Sequence, residues 1–594
     1  MEKYDLVIID SGVNIQEDKK IKGLSVIQNN ILFGDIKDSI GHGTIIYNIF
    51  SKHLALSSIL IIKLFDNQHM VTEDDLICAL EYIKRNIHCK VINVSFGFKI
   101  CYNVAKLRDL CSDIVKSGSV IVAAFDNDGC YSYPACLDDV IGVDNNSKIK
   151  NIFDFEYVEG SPINIRGKGG IQRLTLDNKS TVIVSGSSIA CAYISLFILK
   201  HYNEDEISLS NIKKYLKKHA CFVYKSTNKS IVNSSKKFFN LENVSIFPFS
   251  KESHAFVRFN DMLSFHIKHY YDIRYSGHVG MRINKLNKEL DSSIQIEDID
   301  KSDFSDVDTL VIGHMDELNN LLQKDYRKII IQRAIAKGVN IYSFDPLVDY
   351  KEMLLNSNVS FYSPSINEIE VPQNTFNKLY KVNKPVVGIF GTSSCQGKFS
   401  LQLTLMHIFK KNNYKVGSIG TEPQSLLFGM DYVYPMGYNS TVYINPWQSI
   451  TYLNHIVNRL CDEVEIIFAA SQAGSVPHDF NNLSDFPVKQ NVFLMGIQPD
   501  AIVLCINMYD DIMYIKNSIQ FLQGLSNSKV IALVVFPMTV AKDWRSLLNV
   551  KVPIESIEFQ KKSVVLNELF GIPIYLLGEK SDMDNLYHCI IDYF

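Results

Sequence analysis

The 594-residue sequence predicts an α/β protein of doubly wound parallel sheets, and three observations carry that reading. Short apolar runs have the length and content of strands buried on both faces. Stretches of helical period separate these runs. Glycine and small polar residues cluster where the runs end, as they do at the carboxyl ends of parallel strands.

The first region alternates strand and helix. Residues 5–9, 58–64, 91–94 and 120–124 read as strands, and 43–54, 73–85, 104–116 and 208–218 as helices. Residues 225–237 are rich in Lys, Ser and Asn and read as a linker. A second α/β region spans 244–381, with strands at 309–312 and 340–344 and a helix between them. A third spans 384–594, with strands at 465–470, 501–506, 530–535 and 572–577. The domains are therefore expected at 1–235, 244–381 and 384–594.

Composition narrows the function. Apolar residues make up 46% and charged residues 21%, as in a globular protein. The net charge is −4, so no basic surface points to nucleic acid. No apolar run reaches the roughly 18–20 residues that cross a bilayer. The 12 cysteines form no CxxC pair, which argues against a zinc site or a disulfide framework. No secretory signal opens the sequence, so a cytoplasmic location is expected, with no metal and no membrane partner.

Three short motifs carry chemistry together. Asp10-Ser11-Gly12 follows a strand, His42-Gly43-Thr44 opens a helix, and Gly186-Ser187-Ser188 opens a later one. Each alone is an ordinary strand end or helix cap. Their chain order, Asp then His then Ser, is that of the subtilisin constellation. The motifs Val91-Ile-Asn-Val-Ser-Phe-Gly97, Val122-Ala-Ala-Phe-Asp-Asn-Asp-Gly129 and Tyr133-Pro134-Ala135 follow in the same frame. Residues 1–235 thus resemble the subtilisin-like (S8) serine peptidases. A serine hydroxyl needs a base within reach, and His42 suits that role beside Asp10. The resemblance implies Asp10, His42 and Ser188 as catalytic residues and Asn127 as the oxyanion donor. It also implies Ser95-Phe96-Gly97 as the strand edge that pairs with an extended peptide. Two residues depart from the family: Ser187 stands for the usual Thr, and Asp126 for a small residue. Asp126 would make the primary specificity pocket acidic, with Lys or Arg preferred. Only nine residues precede Asp10, so no propeptide is expected; such a start fits a processing peptidase inside the cell.

The third region opens with Val386-Val-Gly-Ile-Phe-Gly-Thr-Ser-Ser-Cys-Gln-Gly-Lys-Phe-Ser400, a strand, a small-residue turn and a helix start. Such a turn offers amides to phosphate oxygens. Gly391, Thr392, Gly397, Lys398 and Ser400 are the candidate phosphate ligands. The spacing departs from the Walker pattern: Thr392 occupies the first glycine position and Phe399 the Ser/Thr position. No Walker B Asp follows residues 465–470. Residues 244–594 resemble peptide-maturation-system proteins encoded beside ribosomally made peptide natural products, through Gly420-Thr-Glu-Pro-Gln-Ser425 and Pro435-Met-Gly-Tyr-Asn-Ser-Thr441. The loop region is also similar to a family that includes a D-glutamate N-acetyltransferase, although Gln472-Ala473-Gly474-Ser475 replaces its Gly-Gln-Gly-Ser.

These likenesses imply a subtilisin-like sheet, then a small Rossmann-like domain, then a P-loop domain. They imply a serine endopeptidase that cuts a precursor peptide, with other maturation enzymes as partners. Proteolysis needs no cofactor, whereas the loop implies ATP or GTP with Mg, or coenzyme A. Two alternatives stay open: an ATP-, GTP- or acyl-CoA-dependent peptide-modifying enzyme that uses the peptidase fold to hold its substrate, and a non-catalytic maturation scaffold.

Overall fold

The computed structural model describes all residues except 16–19, 56–57, 66–69, 128, 177–179, 203–207, 226–240, 287–289, 291, 375, 438 and 541–550. Apart from Lys225, Glu242 and their immediate neighbours, the segment joining the first two regions, including the expected linker, lies outside the described residues. Contacts divide the chain into two compact units. One comprises Met1–Asn228 with Pro372–Asn383, the other Lys229–Val371 with Lys384–Phe594.

The first unit is a mixed α/β layer structure. Its strands are β1 (Glu2–Asp10), β2 (Ile21–Ile27), β3 (Asn30–Phe33), β4 (Ile59–Lys63), β5 (Ile87–Val94), β6 (Val120–Ala124), β7 (Val140–Asn146), β8 (Phe155–Val158), β9 (Ile165–Lys168), β10 (Gln172–Thr175), β11 (Thr181–Val184) and β12 (Phe222–Tyr224). Ten of them form one sheet in the order β12-β8-β9-β7-β6-β5-β1-β4-β2-β3. The centre is parallel, with Leu6 opposite Ile59 on one side and Val91 on the other. Antiparallel pairs occur at β2–β3 and β8–β9, and β10–β11 form a separate hairpin. Strand alternation divides β1 between two cores: Val7 and Ile9 face one, Leu6 and Ile8 the other. The helices α1 (His42–His53), α2 (Glu73–Asn86), α3 (Val104–Lys116), α4 (Ser187–His201) and α5 (Leu209–His219) cover the two faces. α4 is apolar almost all round and buried from Ile189 to Ile198, as befits a helix through the middle of a core.

The second unit contains two parallel sheets. The smaller comprises β13 (Asn243–Phe247), β14 (His266–Asp272), β15 (Glu297–Asp298), β16 (Thr309–Ile312), β17 (Asn340–Ser343) and β18 (Phe361–Tyr362), in the order β15-β14-β13-β16-β17-β18. The larger comprises β19 (Val386–Gly391), β20 (Val416–Gly420), β21 (Tyr432–Val433), β22 (Ile466–Ala470), β23 (Ala501–Ile506) and β24 (Lys529–Val535). A hairpin of β25 (Met538–Val540) and β26 (Lys551–Pro553) precedes the last strand, β27 (Ile574–Leu576). The larger sheet runs β21-β20-β22-β19-β23-β24-β27. One core serves both sheets: Val244, Ile246 and Phe256 join Val387, Ile389 and Leu401. The Phe256 ring stacks on Phe428 at 4.9 Å. Thus the regions expected at 244–381 and 384–594 pack as one body, less the segment Pro372–Asn383, which belongs to the first unit.

Candidate active site

Asp10 is the last residue of β1, at the carboxyl edge of the central strands. His42 is the first residue of α1, preceded by Gly41 in the left-handed region. Ser188 lies in the first turn of α4. The fold brings these three together. His42 Nδ1 lies 2.8 Å from Asp10 Oδ1, and His42 Nε2 lies 3.0 Å from Ser188 Oγ. A carboxylate at Nδ1 holds the proton there and leaves Nε2 to accept from the serine. Burial pushes the His42 pKa down, but the charge and hydrogen bond of Asp10, with the charge of Asp38, outweigh it and the net shift is upward. Asp10 Oδ1 also accepts from the Ser11 amide at 2.7 Å, while its buried Oδ2 has no partner among the described residues.

Two glycines make the approach feasible. A Cβ on Gly43 would stand 2.2 Å from the Gly12 carbonyl and 3.2 Å from Asp10 Cβ, so only glycine lets α1 start against the end of β1. Gly186 has φ +145°, and a Cβ there would lie 3.2 Å from Asn127 Nδ2 and 3.6 Å from Ser188 Oγ. That is the space an oxyanion would enter. Asn127 Oδ1 accepts from the Ser187 amide at 3.0 Å, which leaves its Nδ2 as a donor beside Ser188. The hydroxyl of Ser187 donates to the Phe125 carbonyl, which ties the helix start to the loop carrying Asn127. Ser188 stands at a helix amino end, where its own amide and the helix dipole favour negative charge.

The expected peptide-binding residues lie at the ends of β5 and β6. Ser95 is buried and its hydroxyl accepts from Asn93. Phe96 packs edge-on against Phe98 at 5.6 Å. A Cβ on Gly97 would meet Ser132 Oγ at 2.5 Å and the Ala124 carbonyl at 3.0 Å. The Asp126 carboxylate is partly exposed and lies 3.6 Å from the Lys99 amine, so its charge is already partnered.

Two contributors carry no motif of their own in the sequence. Asp38 is buried and accepts from the amides of Ile40, Gly41 and Thr44 and from the hydroxyls of Ser11 and Thr44. It therefore shapes the turn that delivers His42. Burial raises its pKa, but those hydrogen bonds more than offset this and hold the carboxyl below its ordinary value. A signal was available in the spacing, since an Asp four residues before His42 can cap its helix start. The second is the segment Pro372–Asn383. The Leu379 carbonyl accepts from the Tyr131 amide, the Tyr380 ring lies 4.6 Å from Tyr131, and the Arg166 guanidinium lies 4.2 Å from the Phe376 ring.

In the second unit the expected phosphate loop follows β19. Gly397 has φ +75° and precedes the helix Lys398–Lys411, with Lys398 as its first residue. Lys398 is buried, and its amine donates to the Ser393 carbonyl at 2.6 Å. Burial pulls its pKa down to about 8. Thr392 is turned inward: its hydroxyl donates to Asp510 and accepts from Gln396, so it faces the protein. A Cβ on Gly391 would lie 3.0 Å from the Lys398 amine. The Ser400 hydroxyl lies 3.5 Å from the Arg258 guanidinium. Among the described residues no group of three or more His, Cys, Asp or Glu is placed to hold a metal ion. No helix among them is long and apolar enough to cross a membrane.

Residues 8–241 match the subtilase family, peptidase S8. That match falls almost wholly within the first unit, whose fold is mixed α/β with a largely parallel sheet. A cold-adapted subtilisin-like serine proteinase is 17% identical, with 36% of this chain and 81% of that one covered and a TM-score of 0.30. Sphericase is also 17% identical, with 36% and 84% covered and a TM-score of 0.30. A DUF1611 family protein from Anabaena variabilis ATCC 29413 is 15% identical, with 59% of this chain and 99% of that chain covered and a TM-score of 0.44. No curated protein matches the chain.

Proposed function

We propose that the first unit is a serine endopeptidase that processes a precursor peptide in the cytoplasm. The observation that carries the reading is the relay Asp10–His42–Ser188, with contacts of 2.8 and 3.0 Å. His42 Nε2 takes the Ser188 proton as Oγ bonds to the scissile carbonyl carbon. Asn127 Nδ2 and the Ser188 amide hold the oxyanion. The imidazolium then protonates the departing amine, and water hydrolyses the acyl-serine by the same route. No cofactor takes part. Substrate selection rests on Ser95–Gly97 pairing with an extended chain and on Asp126, which favours a basic side chain that takes the place of Lys99 beside it. The likeness of residues 244–594 to peptide-maturation-system proteins supports a precursor peptide, handed on by other maturation enzymes, as the substrate.

The test is fluorophosphonate labelling, together with mass analysis of peptides encoded near the gene. Wild type should label at Ser188 and cleave, and Ser188→Ala should do neither. An unlabelled Ser188 in folded wild-type protein would overturn the reading.

One observation favours a second reading for the second unit. A buried Lys398 at a helix start, with no carboxylate in ion-pair distance among the described residues, supports a phosphate site on the loop for ATP, GTP or coenzyme A.

A further inference from the structure

The carboxyl ends of both sheets in the second unit open on one cavity of about 1420 Å³. Single-ligand pockets run to roughly 300–1,000 Å³, so this one holds a nucleotide-sized molecule with room to spare. In each sheet the cavity meets the strand where the chain reverses direction across the sheet. β13 lies between β14 and β16, and β19 between β22 and β23. Open parallel sheets bind ligands at such points.

The wall contributed by the larger sheet is Ser394–Ser400 with Glu422, Ser471 and Gln424. The wall contributed by the smaller sheet includes Lys251, Glu252, Arg258 and His314. The positive groups come from both. Arg258, at the end of the helix Ser253–Arg258, brings its guanidinium to 3.5 Å from Ser400 Oγ, two residues beyond Lys398. Lys251 precedes that helix and lies 3.5 Å from the Glu252 carboxylate, with Glu422 further off. Lys398 itself is 5% exposed, and among the described residues its amine bonds the neutral Ser393 carbonyl. A buried ammonium with no carboxylate in ion-pair distance among the described residues, and only the more distant Glu422 to offset it, is costly, and an anion in the cavity lowers that cost.

One further group awaits an acceptor. Ser471 Oγ, a hydroxyl in a residue 3% exposed, has no hydrogen-bond partner among the described residues. The amides of Ser394, Cys395 and Gln396 make no backbone hydrogen bond there either. Cys395 and Gly397 have φ +58° and +75°, the left-handed backbone that an anion nest uses.

We infer that the second unit holds a composite site for a small molecule bearing two or more linked phosphates, in which the loop and Lys398 of one sheet are joined by Arg258 and Lys251 of the other. The inference rests on the phosphate-loop reading and adds the second sheet to it. A loop that binds one phosphate leaves the next exposed unless a cation faces it, and Arg258 is placed to take it in the bidentate manner of a guanidinium.

Isothermal titration of the full chain with inorganic pyrophosphate, ATP, GTP and coenzyme A, each with and without Mg, tests the site. Pyrophosphate and at least one of the three larger probes should bind wild type, and the preferred probe identifies the source of the phosphates. Lys398→Met should weaken pyrophosphate at least tenfold, and Arg258→Met and Lys251→Met at least fivefold each. Arg258→Lys should recover part of the loss. Thermal unfolding checks that each variant folds, and a misfolded Arg258→Met is replaced by Arg258→Gln. If Arg258→Met and Lys251→Met bind like wild type while Lys398→Met does not, the composite site is overturned and the loop stands. If Lys398→Met also binds like wild type, or no probe binds wild type, both fall.

Discussion

The Lys378 amine stands 3.4 Å from the backbone carbonyl of Asp126 and 3.8 Å from the Asp144 carboxylate, although 252 residues separate Lys378 from Asp126. Asp126 immediately precedes Asn127, so this buried cation fixes the loop that carries the proposed oxyanion donor. Tyr380 extends the same support through Tyr131 to Phe125, whose carbonyl holds Ser187. A charge-assisted hydrogen bond of this kind is worth about 1.5–3 kcal/mol. Lys378→Met should therefore lower kcat by about tenfold, the equivalent of about 1.4 kcal/mol, with KM unchanged. Lys378→Arg should recover most of it. Steady-state kinetics on a peptide substrate separates the two constants, and a loss confined to KM or to thermal stability would show that Lys378 only braces the fold.

Asn127 has two tasks that substitutions can part. Its Oδ1 anchors the Ser187 amide, and its Nδ2 faces the proposed oxyanion position beside Gly186 and Ser188. Asn127→Ala should cost about 10²–10³ in kcat, the usual loss of one oxyanion donor. Asn127→Asp keeps the acceptor for Ser187 and replaces the donor with a negative charge. It should retain wild-type thermal stability yet fall at least as far in kcat. Activity in Asn127→Asp above that of Asn127→Ala would place the residue outside the reaction.

The pH dependence follows from the His42 pair. Burial depresses the imidazole pKa, the Asp10 charge and hydrogen bond raise it more, and it stands above the ordinary value of 6.5. General-base catalysis needs the neutral ring. kcat/KM should rise with pH, with its midpoint above 6.5. The linked stability runs the other way: a raised pKa favours the folded state fully at low pH, and that contribution is lost as pH rises through the folded pKa. Asp10→Asn should cut kcat by about 10⁴ through the wrong tautomer. It should also move the midpoint down. A midpoint unmoved by Asp10→Asn in a pH–rate profile would sink this account of the shift.

How far the sequence reveals this site depends on whether a contact leaves a local pattern. Asp10, His42 and Ser188 are legible because each lies at a strand end or helix start, where chain order and small neighbours mark it. The strands of the first unit are legible because both their faces are buried. Asp38 is less so: its partners are mostly backbone amides, which have no residue signature. Lys378 is not legible at all, because its main acceptor is a backbone carbonyl far away in sequence. A boundary drawn at 381 follows the apolar rhythm of the strands, which says nothing about the company that Phe376 and Tyr380 keep. In the second unit the loop reads as a strand, turn and helix, but Arg258 joins it only through the packing of a second sheet.

Lys398 provides a pH-dependent readout in the other unit. Its ammonium is buried, desolvation pulls its pKa down to about 8, and the neighbouring Cys505 and Glu422 offset this only in part. The charged form holds an anion, so affinity should be level below pH 7 and fall as pH rises through about 8. Sulfate suits the measurement because it carries the same charge across this range. Titrations of the full chain between pH 6.5 and 9.5, roughly spanning that pKa, should show the decline and an uptake of protons on binding near its midpoint. Lys398→Arg keeps its charge above pH 9, since a guanidinium holds its proton to about 12 or beyond. That variant should bind sulfate with no fall over the same range. A decline of equal size in both proteins would assign the titration to another group and remove Lys398 from the anion site.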